Sequence, residues 1–127
     1  MANARRNRLA PAPAGTASTG TADILTQLRL DMEATVTKLL LIPHAKLSDE
    51  DHEAWSDQIH QHNMAIAKLR NAVLETLSDQ FQAELPAIQA ATAELVKKLE
   101  RLQQSVAIIR AVDSVLGVVR QIITLLA

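Results

Sequence analysis

Apolar residues recur along this chain in three long runs with the period of an α-helix. The first, about 21–41, places Ile24, Leu25, Leu28, Met32, Val36 and Leu39 on one face, with Asp23, Asp31, Glu33 and Lys38 mostly away from it. Thr21 or Asp23 fits as its cap, and Pro43 bars its continuation. The second run, about 48–84, opens with Ser48-Asp49-Glu50-Asp51, a Ser-x-x-Asp form of the capping box. From Trp55 its apolar positions step by four and three through Ile59, His62, Ile66, Leu69 and Val73, then by four through Leu77, Phe81 and Leu85. That heptad-like seam predicts helix pairing of the coiled-coil type. Pro86, favoured in a first turn, predicts the start of the third helix, about 86–127. At 1.5 Å per residue the second and third helices would each reach on the order of 55–60 Å.

The end of the third run is the most distinctive stretch. Fifteen of residues 106–127 are apolar, and the other seven are Arg110, Asp113, Ser114, Gly117, Arg120, Gln121 and Thr124. Their spacing gathers all seven into one arc of roughly 120° on a helix. In the first half of the run the apolar seam is Ile88, Leu95, Leu99, Leu102, Val106 and Ile109. Continued in the same phase, that seam meets the polar stripe, while Ile108, Val112, Val115, Val119, Ile122 and Leu126 cover the face charged a few turns before. A continuous helix would thus turn inside out near residue 107, as one entering lipid does. Its last 22 residues would span about 33 Å, close to the roughly 30 Å hydrocarbon core. About a dozen Ile, Leu and Val residues gain roughly 4–7 kcal/mol on insertion, whereas Arg110, Asp113 and Arg120 each cost around 2.5–3.5 kcal/mol at the bilayer centre. Solitary insertion is therefore unfavourable, and the helix needs other helices around it.

Composition narrows the class. The chain has 127 residues, 48% of them hydrophobic, but its only large aromatics are Trp55 and Phe81, which points to an all-α core of Leu, Ile, Val and Ala. The absence of cysteine removes disulfides and thiolate chemistry. A net charge of −1 conceals an acidic stretch over 44–90 and a basic one over 91–127, which favours pairing between the two. Residues 1–20, rich in Ala, Pro, Gly and Thr, read as a disordered basic tail carrying Arg5, Arg6 and Arg8. No apolar stretch follows those arginines, so no secretory signal is expected, and the location stays open between cytoplasm and a membrane surface.

Candidate chemistry is sparse. His60 and His62 point roughly 200° apart on a helix, so they do not form a metal pair. His62 lies on the seam and reads as a packed, hydrogen-bonded core histidine. Glu53, Asp57, His60 and Met64 share an outer face near His52, but one helix supplies too few ligands for a metal. Ser56, Asp57 and His60 lie on one helix and cannot aim at one substrate atom. There is no Gly-rich phosphate loop, and the folded part is acidic and poor in stacking aromatics. No catalytic residue, cofactor, metal, nucleic acid or small-molecule substrate is expected.

These readings combine into one domain over 21–127: an elongated antiparallel helical hairpin with a shorter N-terminal helix, as a three- or four-helix bundle. The pairing seam is Trp55, Ile59, Ile66, Leu69, Val73, Leu95, Leu99 and Leu102. A compact alternative bends the third helix near Ser105 or Gly117 to make four helices. The uncovered apolar surface of a long hairpin predicts a homo-oligomer or a bound partner, whether membrane lipid or protein. The expected function is a non-enzymatic, self-associating protein that engages or inserts into membranes. Ile108, Val112, Val115, Val119, Ile122 and Leu126 would make the contact, and Arg110, Asp113, Gly117, Arg120, Gln121 and Thr124 the polar stripe. The layout is similar in style to alpha-helical pore formers, with no motif tying it to a family. The alternative is a soluble structural or adaptor bundle that oligomerises or binds a protein through the same helix.

Overall fold

The computed structural model describes the backbone of residues 13–126 and the side chains of residues 20–126. Among them the fold is all-α, with five helices: α1 (Pro13–Leu40), α2 (Asp49–Arg70), α3 (Asp79–Arg101), α4 (Ser105–Asp113) and α5 (Leu116–Leu125). The expected tail over 1–20 lies partly outside the described residues. α1 begins at Pro13, inside that stretch, where a missing N–H costs a first turn nothing. Thr21 and Asp23 are therefore interior residues and not caps.

Local signals set two of the helix starts. The Ser48 hydroxyl accepts the Asp51 N–H at 3.1 Å, and Asp49, Glu50 and Asp51 lie in the first turn, where the helix dipole favours acids. The Ser78 hydroxyl accepts the Phe81 N–H at 3.0 Å in the same way. Both caps follow one connector: a 3-10 turn (His44–Lys46 or Leu74–Thr76), an extended leucine (Leu47 or Leu77), then Ser-Asp. The second connector divides the expected helix over 48–84. Asn71 ends α2, Val73 is exposed, Leu77 packs from the connector, and Phe81 and Leu85 pack from α3. The seam is thus shared between two elements and does not form a coiled coil.

Pro86 sits inside α3, not at its start. It is exposed, so the Gln82 carbonyl that it leaves without an N–H faces the solvent side. The long third helix is also divided, with Leu102 and Gln104 extended and a second interruption at Ser114 and Val115. Neither Gln104 nor Val115 caps the helix it precedes with its side chain. Tertiary packing makes these breaks. The Ser114 hydroxyl donates to the Ala111 carbonyl at 2.6 Å and closes the end of α4.

The helices form four columns, the fourth being α4 followed by α5. One core cluster joins Leu25, Leu28 and Met32 to Ala65, Ile66 and Leu69, to Phe81, Leu85 and Ile88, and to Leu116, Val119 and Ile122. The other joins Leu39 and Ile42 to Trp55 and Ile59, to Leu95 and Leu99, and to Ile108, Ile109 and Val112. The order of residues between the clusters makes α1 parallel to α3, and both antiparallel to α2 and to the α4–α5 column. α1 packs on α2 and α3, the α4–α5 column packs on both as well, and α2 lies across the bundle from α3. The compact four-helix arrangement is the one adopted, in place of an elongated hairpin.

Candidate interaction surface

The two breaks overturn the membrane reading. The break at residues 102–104 turns the helical phase by about half a turn, so Ile108, Val112, Val119 and Ile122 are buried inside the bundle and Val115 and Leu126 half-buried. The stripe residues Arg110, Asp113, Gly117, Arg120 and Thr124 face outward, with Gln121 half-buried. α4 has nine residues and α5 ten, about 14 and 15 Å at 1.5 Å per residue, against roughly 30 Å of hydrocarbon. No helix among the described residues is long and apolar enough to cross a membrane. What reads as a helix turning inside out is α3 and α4 joined out of phase, with α5 keeping the phase of α4. It follows that the residues expected to meet lipid are turned wholly or partly into the bundle.

The pairing seam is likewise internal. Ile66, Leu69, Leu95 and Leu99 are buried, Trp55, Ile59 and Leu102 half-buried, and Val73 alone lies open. Two polar groups sit among them. Gln58, fully buried, donates its side-chain N–H to the Ile109 carbonyl at 2.8 Å and ties α2 to α4. One turn on, His62 is 1% exposed, with its Nδ1 2.9 Å from the Gln58 carbonyl, the packed histidine that its position implies. The carbonyl can only accept, so Nδ1 carries the proton.

Burial pushes the His62 imidazole below its ordinary 6.5, against the opposing pull of the Gln58 carbonyl. Because the folded-state value lies lower, the unfolded chain binds the extra proton. Stability is therefore full above about 6.5 and declines as pH falls from there towards the folded value. The slope has a ceiling of about 1.4 kcal/mol per pH unit for one proton. Urea unfolding at pH 7.5 and 5.5 should show a smaller pH effect in His62→Gln than in the wild type; equal pH effects would exclude His62 as the cause.

The outer surface carries charge and exposed apolar groups. Glu33 Oε2 on α1 accepts from Arg70 Nη2 of α2 at 2.8 Å and from Arg29 Nη1 at 3.2 Å. Its carboxyl is held below the ordinary range, first by the Arg70 hydrogen bond and then by Arg29, with partial burial opposing. Asp57 pairs with Arg120 of the stripe at 3.8 Å. The expected acidic face of α2 exists, with Asp49, His52, Glu53, Ser56, Asp57 and His60 lining one shallow hollow. Among the described residues no group of three or more His, Cys, Asp or Glu is placed to hold a metal ion. At the α1–α2 corner His44 stacks on Trp55, with ring centroids 4.3 Å apart and planes 10° from parallel. Trp55 Nε1 donates to the Leu39 carbonyl at 2.7 Å, beside the Ile42 N–H that the same oxygen accepts at 3.2 Å, and so ties α2 to the end of α1.

α1 presents a feature that its inward stripe does not account for. Leu30 is 47% exposed, Leu40 59% and Leu41 76%. Leu30, Ala34, Thr37 and Leu41 fall within about 60° on the helical wheel, all of them outward. The Thr37 hydroxyl donates to the Glu33 carbonyl at 3.1 Å, so that side chain turns its methyl to the surface. The spacing of Leu30, Ala34, Thr37 and Leu41 is legible in sequence as a second apolar line, outside the six residues that define the core face.

Comparison with known protein families, with curated proteins and with solved structures returns no match to this chain.

Proposed function

We propose that this protein is a non-enzymatic helical scaffold that acts by self-association, with the outer face of α1 as its contact surface. The carrying observation is the exposed line of Leu30, Ala34, Thr37 and Leu41, on a bundle whose other long apolar faces are turned inward. Aligned exposed leucines on one rigid helix are a feature of association surfaces. The bundle needs no partner to bury its core, so association joins finished units. A protein partner, rather than a nucleic acid, is favoured by the acidic face of α2, which repels phosphate, and by the rings of His44 and Trp55, which stack on each other.

Sedimentation equilibrium at micromolar concentration tests it. The wild type should associate reversibly. Leu41→Asp should weaken association at least about tenfold, since each copy loses a buried leucine at roughly 1.5–3 kcal/mol. A strictly monomeric wild type over that range, or association unchanged in Leu41→Asp, would sink the proposal.

A further inference from the structure

We infer that the partner is a second copy of this chain, docked with its α1 antiparallel about a twofold axis that passes beside residues 35 and 36. This rests on the self-association proposed above and specifies its geometry. The line Leu30, Ala34, Thr37, Leu41 has spacings of four, three and four, the same in both directions. Leu41 lies one residue beyond α1, but its N–H reaches the Lys38 carbonyl at 3.2 Å and keeps it near the helical path. A twofold axis through the centre sets Leu30 against Leu41 of the second copy and Ala34 against its Thr37. The small residues fall at the middle, where the two helices approach most closely, and the leucines close both ends. An isologous contact of this kind needs a self-complementary patch, which a palindromic line supplies.

Charge complementarity supports the same register. Asp31 is only 8% exposed; its Oδ1 accepts from Gln27 Nε2 at 2.9 Å, and its Oδ2 has no hydrogen-bond partner. Oδ2 is closed off inside the fold, so no group of a second copy bonds it, but the negative charge lies just beneath the surface, where a nearby cation lowers its cost. Lys38, seven residues on, shares its flank of α1 and lines a shallow notch between α1 and α3 with Thr35 and Val96. In the antiparallel register Lys38 of the second copy comes level with Asp31 to within about two residues, roughly 3 Å along the axis. The pairing occurs twice by symmetry.

Disulfide trapping reads the geometry directly, because the chain has no cysteine of its own. Leu30→Cys and Leu41→Cys are purified separately, then mixed and oxidised with oxidised glutathione. The antiparallel register predicts a cross-linked pair from the mixture and little from either variant alone. In that register two copies of residue 30 stand about 16 Å apart, far beyond disulfide reach. Self-linked Leu30→Cys would establish a parallel contact and overturn the inference. Absent cross-links in a sample that still sediments as a dimer would place the contact on another face. A monomer by sedimentation would instead remove the underlying proposal. Lys38→Glu should weaken association about tenfold and Lys38→Arg should retain it, with the thermal melt by circular dichroism confirming that both fold. Equal association in all three proteins would remove the role of Asp31.

Discussion

Val119→Asp is expected to unfold the protein in plain buffer, with no membrane present. Val119 is fully buried on α5, in the cluster that includes Phe81 and Leu28. Losing its burial costs roughly 1.5–3 kcal/mol. The new carboxyl adds several more, either as an unpaired charge or through the protonation that burial would force on it. That sum rivals the whole net stability of a domain, about 5–15 kcal/mol. Gly117→Asp, two residues earlier, is the matched control. A Cβ there meets nothing within 4 Å, and the site lies in the first turn of α5, which has no acid of its own. A carboxylate near a helix N-terminus is favourable, so this variant should melt at or slightly above the wild-type temperature. Circular dichroism of the two proteins decides the matter: a folded Val119→Asp would mean that α5 does not belong to the core.

Phe81→Ala should be the next most damaging change, at about 3–5 kcal/mol. The ring is fully buried, is the only phenylalanine in the chain, and belongs to the cluster that α3 shares with α1, α2 and α5. The substitution leaves the Ser78 cap intact, because the capped group is the backbone N–H of residue 81. The loss therefore measures packing alone. Urea unfolding gives the value, and a loss below about 1 kcal/mol would show a core loose enough to collapse around the gap.

Much of the helical content was legible because the periods are long. The inward face of α1, the Ser48 cap and the buried His62 can all be read from spacing and capping chemistry. The division between α2 and α3 was also written in the chain, since Leu-Ser-Asp occurs at 47–49 and again at 77–79. The second occurrence is masked by an apolar stripe that runs through it with unbroken step. Pro86 drew the boundary to the wrong place: an exposed proline on the water side of a helix costs little enough for α3 to carry it. The breaks at 102–104 and at Ser114–Val115 carry only the weaker signal of the neighbouring Ser105 and Gly117, with no capping residue beside it. Gln104 and Val115 are poor caps, and what fixes the chain there is the fit of Ile108, Val112, Val119 and Ile122 into two clusters. A helix assumed continuous across those breaks inverts its own faces, and the membrane reading followed from that assumption. The outer line of α1 was legible but went uncounted, because one good stripe already explained the helix.

The placement of α2 across the bundle from α3 has a bearing on how the chain reaches this state. Helices consecutive in sequence usually zip together as a local hairpin, but here the middle two do not. α2 instead finds its second neighbour far along the chain, as between Gln58 and Ile109, 51 residues apart. Chain entropy has to be surrendered over a loop of that length before the contact forms. Slower folding is therefore expected than for a bundle in which every helix pairs with its neighbour in sequence.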